Sequence, residues 1–84
     1  MRVELFGVPR QRAQISELEV QAVTLGEMLI KLAAEVPSLR EFITRDRLAT
    51  SFCANLNGDR FVDDPQTRLC EDDCVLILSA DAGG

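Results

Sequence analysis

The chain has 84 residues, which is enough for one domain and too few for two separate hydrophobic cores. Its 14 acidic and 9 basic residues give a formal charge of −5, which argues against nucleic-acid binding because that needs a basic surface. Histidine is absent, so histidine-based acid–base catalysis, histidine-activated nucleophiles and histidine-ligated metal sites are excluded within this chain.

The first twenty residues predict two strands. Residues 3–5 alternate apolar and polar side chains, which is typical of a half-buried strand. Gly7-Val8-Pro9 is expected to end that strand, and the polar residues 10–14 are expected to form an irregular loop. Leu18 and Val20 then alternate with acidic residues. We therefore expect a second strand, paired with the first as a hairpin.

A helix is the clearest local prediction. Thr24 and Glu27 have the spacing of a capping box, in which the hydroxyl accepts a backbone N–H and the carboxylate reaches back. Pro37 stops the helix, because the residue before a proline avoids the α region. A weaker capping box at residues 38–41 predicts a short turn. One continuous apolar stripe follows the first cap: Leu25, Met28, Leu29, Leu32, Ala33 and Val36.

The second half of the chain predicts three more strands. In residues 51–56, the apolar side chains share one parity, and Asn57-Gly58 is a strong signal for a type I′ turn. Residues 60–62 form the short return arm. Residues 74–78 are apolar without alternation, which predicts a central strand buried on both faces. Residues 79–84 have nothing to bury and are expected to be mobile.

The order of these elements indicates an α+β domain. A hairpin, a helix and a final central strand are typical of a β-grasp fold, with a mixed sheet of four to five strands and one main helix packed across it. We expect residues 1–78 to form this ubiquitin-like domain. Residues 79–84 would then be a flexible tail that ends in Gly83-Gly84.

The two terminal glycines suggest a reactive tail, although a frayed end is the plainer explanation. Glycine has no side chain, so a Gly-Gly end can thread a narrow channel. Six extended residues span roughly 20 Å, which is enough to enter a partner's active site. The carboxylate of Gly84 needs activation, for example by AMP. This chain has no glycine-rich phosphate loop, so a partner would have to supply the ATP and Mg²⁺.

These features resemble the MoaD/ThiS family of ubiquitin-like sulfur carriers, and most closely its MoaD branch, the small subunit of molybdopterin synthase. The resemblance covers essentially the whole chain. Each piece alone is weak, and it is their order, spacing and fixed end that make the likeness specific. It rests on residues 3–7, Thr24-Leu25-Gly26-Glu27-Met28-Leu29, Pro37-Ser38-Leu39, Asn55-Leu56-Asn57-Gly58, Leu69 with Asp73-Cys74-Val75, and Ala82-Gly83-Gly84.

The resemblance implies a carrier without catalytic groups of its own. A ubiquitin-activating-like adenylyltransferase of the MoeB/ThiF type would adenylate Gly84, and a persulfide donor would convert it to a thiocarboxylate. The tail would then enter a large synthase subunit of the MoaE type and give sulfur to a molybdopterin precursor. Gly83 would provide access. No bound cofactor is expected, since ATP and Mg²⁺ belong to the activating enzyme.

Three departures from the family pattern lie near the tail. Asp72-Asp73 stands where the family often has Gly-Asp, and Ser79-Ala80 where it often has Pro-Pro. Proline would stiffen the exit, so its absence predicts a looser tail. Asp81 replaces a residue that is usually apolar. These changes keep another sulfur pathway open as the destination, such as thiazole, cysteine or secondary-metabolite synthesis.

Two further readings of the tail stay open. A ubiquitin-like protein modifier would join Gly84 to a target lysine, whereas an interaction module would have an inert tail. An acyl carrier protein also fits the size and acidity, but it would need an Asp-Ser-Leu attachment site, which this chain lacks.

A partner surface is predicted from the aromatic residues near the hairpin. Phe52 and Phe61 are expected in the core or sheet, and an exposed one would be an anchor, because aromatic residues dominate interface energetics. Leu56 and Val62 belong to the same candidate patch. Residues 71–73 are expected to form a solvated turn, with steering toward a basic partner as the functional alternative. From the tail, Asp81 and Ala82 complete the predicted contact set.

The remaining observations concern compartment and metals. Residues 1–5 lack the pattern of a signal peptide, and residues 75–78 are too few to span a membrane, so a cytoplasmic protein is expected. Cys53, Cys70 and Cys74 are an odd number and predict reduced thiols. Their spacing does not match a zinc site or an iron–sulfur site, so no metal is expected.

Overall fold

The computed structural model describes residues 1–80, and these form one five-stranded sheet with a helix across it. The strands are β1 (Arg2–Leu5), β2 (Glu17–Glu19), β5 (Phe52–Leu56), β6 (Arg60–Val62) and β7 (Cys74–Ser79). Their order in the sheet is β2-β1-β7-β5-β6. β1 and β7 are parallel, whereas the other neighbours are antiparallel. The predicted mixed sheet and β-grasp fold are confirmed.

The main helix, α2 (Leu25–Glu35), packs its apolar stripe against the sheet. The Thr24 hydroxyl accepts the backbone N–H of Glu27 at 3.2 Å, as the capping box predicts. The Glu27 carboxylate lies 3.4 Å from Lys31 Nζ, on the exposed side of the helix. The buried residues of the stripe are Leu25, Met28, Leu29 and Leu32.

Two elements differ from the sequence prediction or were absent from it, and the predicted short turn after Pro37 forms as a 3₁₀ helix. Residues 7–13 form a helix, α1 (Gly7–Ala13), where an irregular loop was expected. A 3₁₀ helix (Pro37–Phe42) follows α2 and buries Leu39. A small ribbon then pairs β3 (Ile43–Thr44) with β4 (Arg47–Leu48). The turn between these two strands places Arg45 at φ 59°, which is rare for a residue other than glycine.

The Asn57-Gly58 turn has the predicted geometry. Both residues have positive φ, 61° for Asn57 and 71° for Gly58, as a type I′ turn requires. The Asp59 N–H donates to the Leu56 carbonyl at 3.0 Å and closes the turn.

β7 lies at the centre of the sheet, as expected, but the prediction that both its faces are buried was wrong. Val75 and Ile77 are buried under α2, while Cys74, Leu76 and Leu78 on the opposite face are only half-buried. Among residues 1–80, the elements that pack on the sheet leave this second face partly open. The apolar run therefore has one side in the core and one side available for contact.

β7 extends to Ser79, and Ala80 is still attached to the sheet. The Ala80 N–H donates to the Ser51 carbonyl at 2.8 Å. The predicted looseness of the exit therefore does not apply to these two residues, because Ser79 is held by strand pairing and Ala80 by one backbone hydrogen bond. The predicted mobility of the last four residues falls outside the described part of the chain. None of the helices in residues 1–80 is long and apolar enough to cross a membrane.

Candidate functional site

The root of the tail is the point where β7 ends, and two surfaces meet there. Ser79 pairs with Phe52 on β5, and Ala80 is the next residue after the end of β7. The first surface is the side of the sheet away from α2, called here the outer sheet face. The second is a groove at the β6 edge.

The outer sheet face carries an apolar patch next to the tail root. The register puts Leu78 beside Cys53, and Leu76 beside Asn55. Phe61 pairs with Asn55 on the other side and points out of the same face. Phe6 continues the alternation of β1 and is 39% exposed, while Phe61 is 55% exposed. The apolar patch therefore consists of Phe6, Phe61, Leu76 and Leu78.

Charged side chains border this patch along the β1–β2 side. Arg2 Nε lies 3.2 Å from Glu4 Oε2 and 3.8 Å from Glu17 Oε2. The pKa of Arg2 is raised, first by its hydrogen bond to Cys74 and then by the charge of Glu4. These pairs lie on the surface and contribute little to folding stability. They give the border of the patch a mixed charge in which carboxylates outnumber cations.

The edge groove lies where the short β6 leaves part of one side of β5 unpaired. β6 pairs only with residues 54–56 of β5, so Phe52 and Cys53 border an opening of about 650 Å³. Leu25 and Leu29 of α2 and residues 47–50 form the other wall. Ala80 also lines the groove, so the tail leaves the domain at its rim.

The structure brings together three of the four domain residues predicted to contact a partner. Phe52, Phe61 and Val62 all line the edge groove. Their exposure differs, because Phe52 is only 8% exposed and packs on Phe42 with ring centroids 4.4 Å apart. Leu56 lies apart from them, buried at the far end of β5. Phe61 is thus the exposed aromatic residue that the prediction required of an anchor.

Phe6, Leu76 and Leu78 were not predicted as surface residues. A signal was present, because Phe6 shares the parity of Arg2 and Glu4, and β1 runs beside β7. Leu76 and Leu78 lie in a run that was assigned to a doubly buried strand, and this assignment hid their exposed side. The predicted tail residues Asp81, Ala82, Gly83 and Gly84 lie outside the described residues.

Two of the three thiols are held in the neutral form. Burial raises the pKa of Cys74, and the hydrogen bond from its Sγ to Glu4 Oε2, 3.0 Å long, raises it further. Burial alone raises the pKa of Cys53. A thiol with a raised pKa is a poor nucleophile at neutral pH. Cys70 is exposed. Within residues 1–80, no group of three or more acidic or cysteine side chains could hold a metal ion.

Comparison with known proteins finds likeness in structure and not in sequence. No protein-family model matches the chain, and no curated protein matches it. SAMP1 from Haloferax volcanii superposes with a TM-score of 0.80 at 20% identity, covering 99% of this chain and 97% of that one. A chain of the Amycolatopsis orientalis BexX/CysO complex gives 0.78 at 18% identity, with 99% and 98% covered.

A third solved structure is a putative molybdopterin converting factor, subunit 1, from Pyrococcus furiosus. Its TM-score is 0.76 at 18% identity, and the alignment covers 93% of each chain. At such identities the likeness establishes the fold. The β-grasp fold predicted from the sequence is thereby confirmed, because the chain shares the fold of these three proteins over nearly its full length.

Proposed function

We propose that this protein is a sulfur carrier whose Gly84 carboxylate is adenylated by a partner and converted to a thiocarboxylate. The observation that carries the proposal is the position of the tail root. The central strand of the sheet delivers Ala80 to the rim between the apolar patch and the edge groove. A partner that covers this surface receives the following residues, Asp81 to Gly84, at its own active site.

The chemistry of the domain agrees with a passive carrier. The raised pKa values of Cys53 and Cys74 disfavour nucleophilic attack by these thiols on an activated Gly84 of the same or another copy. An adenylating enzyme of the MoeB/ThiF type would supply ATP and Mg²⁺, and a persulfide donor would supply sulfur. We place these reactions in the cytoplasm, where thiols stay reduced.

Among possible sulfur acceptors, we propose a molybdopterin precursor bound to a large subunit of the MoaE type. The motifs of the MoaD branch and the likeness to the Pyrococcus furiosus converting factor subunit support this choice. The protein itself would be the non-catalytic subunit of such a synthase. Delivery to another sulfur pathway is the nearest alternative, and the likeness to the BexX/CysO complex favours it.

A second candidate function is protein modification, supported by the likeness to SAMP1, a small archaeal modifier protein. The two functions share the activation of Gly84 and differ in what attacks it. Sulfur attack gives a thiocarboxylate, whereas a lysine amine gives an isopeptide bond. Intact-mass spectrometry of protein isolated from its native cell distinguishes them. Exchange of one oxygen for sulfur supports the carrier, and a ladder of conjugates supports the modifier.

The shared step is tested by deleting Gly84 or by adding one residue after it. Either change is expected to abolish ATP-dependent activation by the adenylating enzyme of the same organism. The melting temperature is expected to stay unchanged, because β7 and its last sheet bond lie before residue 81. Activation that survives both changes would overturn the proposal.

A further inference from the structure

This chain has few primary amines, and the fold buries one of them. Lys31 is the only lysine in the sequence, since the other eight basic residues are arginines. In a chain of residues 1–84, the other primary amine is that of Met1. An activated carboxyl group forms stable amides with primary amines, so these two groups determine whether copies of the protein can become joined through an amide bond.

The amine of Met1 is buried. Its nitrogen donates to the Val20 carbonyl at 3.0 Å and lies 3.6 Å from Glu19 Oε2, and the Met1 side chain is fully covered. Attack on an acyl group would require this nitrogen to break the bond to Val20 and leave the β1–β2 edge. The folded domain therefore withholds the Met1 amine from acylation.

Lys31 is reachable but held on the surface. Its side chain is 47% exposed, and its Nζ contacts the Gln21 carbonyl and the Glu27 carboxylate. Both partners accept hydrogen bonds from the ammonium form. The amine has to lose a proton before it attacks, and rotation about its own side-chain bonds is enough to release it. Lys31 Nζ is therefore the accessible primary amine of the folded domain.

The position of Lys31 decides which copy can react with it. Glu19 at the end of β2 pairs with Arg2, which pairs with Cys74 at the start of β7. Ser79 lies five residues further along β7 and two strands across, so about 19 Å separates Glu19 from Ser79. Lys31 Nζ lies beyond Glu19, at Gln21. Four extended residues reach at most about 14 Å, which is less than this separation. Gly84 of one copy is therefore expected not to reach Lys31 of the same copy.

We propose that amide bonds between copies of this protein form only from Gly84 of one copy to Lys31 of another. The inference rests on the proposed activation of Gly84. Neutral Lys31 Nζ attacks the acyl carbon, the N–C bond forms, and the bond from carbon to AMP breaks. AMP leaves with the bonding electron pair, and the proton from nitrogen goes to solvent. No atom changes its oxidation state in this step.

The test uses residues 1–84 with a thioester of 2-mercaptoethanesulfonate installed chemically at Gly84. Here the C–S bond breaks in place of the bond to AMP, and the thiol leaves. After incubation, excess free thiol reverses any exchange onto the three cysteines, so only amide products remain. Intact-mass spectrometry counts them and peptide mapping locates them. Methylamine added to a parallel sample measures the reactivity of the thioester itself.

We expect dimers and longer chains linked at Lys31, with no amide at Met1. Lys31→Arg is expected to abolish these products while the melting temperature and the methylamine reaction stay unchanged. Adding Arg68→Lys to Lys31→Arg moves the only lysine to an exposed position and is expected to restore dimers, now linked at position 68.

Four results would overturn the proposal: an amide at Met1, a cyclic monomer, undiminished amide dimers of Lys31→Arg, or no dimer although methylamine reacts. Because the thioester is installed by chemistry, none of these results depends on an activating enzyme. A failure here leaves the proposed activation of Gly84 standing. The Gly84 deletion tests that activation without involving Lys31.

Discussion

Asn57 and Asp73 join the hairpin turn to the start of the central strand. Asn57 Nδ2 donates to Asp73 Oδ1 at 3.0 Å, and Asn57 Oδ1 accepts the Cys74 N–H at 2.8 Å. The second carboxylate oxygen of Asp73 accepts the Cys70 N–H at 2.7 Å. Of the acidic residues 71–73, which were expected to form a solvated turn, Asp73 therefore has a structural role.

This pairing predicts an acid-sensitive contribution to stability. The hydrogen bond from Asn57 and then the bond from Cys70 lower the pKa of Asp73. A lowered pKa means that the carboxylate stabilises the fold at and above the ordinary aspartate range, and that this stability is lost as the pH falls through the lowered value. We expect Asp73→Asn to destabilise the protein at neutral pH and to flatten its loss of stability in acid. Urea unfolding across a pH series measures both effects.

Asp72→Asn is the matched control for that measurement, because it removes a neighbouring charge in the same turn. We expect it to leave the acid limb of the stability curve unchanged. Equal flattening by the two variants would show that general charge repulsion, rather than the Asn57–Asp73 contact, controls acid stability.

A second prediction concerns the apolar patch as the docking surface. Phe61 and Ile30 are exposed to the same degree, 55% and 54%, but Ile30 lies on the outer side of α2. Phe61→Asp is expected to weaken activation by the adenylating enzyme roughly 10–30-fold through KM, since a buried aromatic anchor is worth about 2 kcal/mol. Ile30→Asp is expected to leave KM unchanged. Steady-state kinetics with each carrier variant as substrate gives both values.

Equal loss with the two substitutions would indicate a general effect of added negative charge. The patch would then no longer be supported as the docking surface. Melting curves of both variants check that neither substitution acts through stability, as expected for exposed positions outside the core.

A third prediction concerns thiol reactivity. Alkylation by iodoacetamide at neutral pH is expected to modify exposed Cys70 first, since burial raises the pKa of both Cys53 and Cys74. Glu4→Gln removes the charged acceptor that contributes to the shift at Cys74. The pKa of Cys74 should then fall toward its ordinary value, and alkylation of Cys74 should become faster.

Cys53 provides the internal control within the same Glu4→Gln sample, because burial alone raises its pKa. Its rate is expected to stay the same. Mass spectrometry of alkylated peptides over time follows all three sites. A Cys74 rate that does not respond to Glu4→Gln would contradict the importance of the 3.0 Å contact.

A fourth prediction concerns Gly26 in the first turn of α2. A Cβ atom there would lie 3.0 Å from the Cβ atoms of Asp46 and Pro65, and 3.2 Å from the Pro65 carbonyl oxygen. Alanine favours the helix by up to about 1 kcal/mol over glycine, but overpacking typically costs about 1–3 kcal/mol. We therefore expect Gly26→Ala to lower the free energy of unfolding. A higher free energy of unfolding, measured by chemical denaturation, would show that the turn containing Asp46 and the loop containing Pro65 move to make room.

Elements with strong local signals were predictable from the sequence. The cap at Thr24 and the apolar stripe determined α2, and Asn57-Gly58 determined the β5–β6 hairpin. Parity also placed Phe52, Ala54 and Leu56 on one face, and all three are buried. The same parity places Phe61, which was grouped with Phe52 and Leu56 in the predicted patch, on the opposite face of the sheet.

The misread elements have weak or contrary signals. Pro9 was expected to mark a break, yet it is the third residue of α1, where backbone N–H groups lack helical partners and proline is tolerated. β3 and β4 have two residues each, too few for alternation to show. Their turn uses Arg45 at positive φ, so the usual glycine or asparagine signal is missing. Exposure of one face of β7 depends on what packs over it, which residues 74–78 alone do not encode.

The parallel pairing of β1 with β7 links the two ends of the sequence and has a consequence for synthesis. Of the strands in residues 1–80, β7 is the last to emerge from the ribosome, yet it is the strand between β1 and β5. A nascent chain that stops before residue 74 leaves both of these strands with open edges, which invites aggregation or degradation. The architecture thus favours survival of translation products that carry an intact β7, the strand that precedes the proposed site of activation.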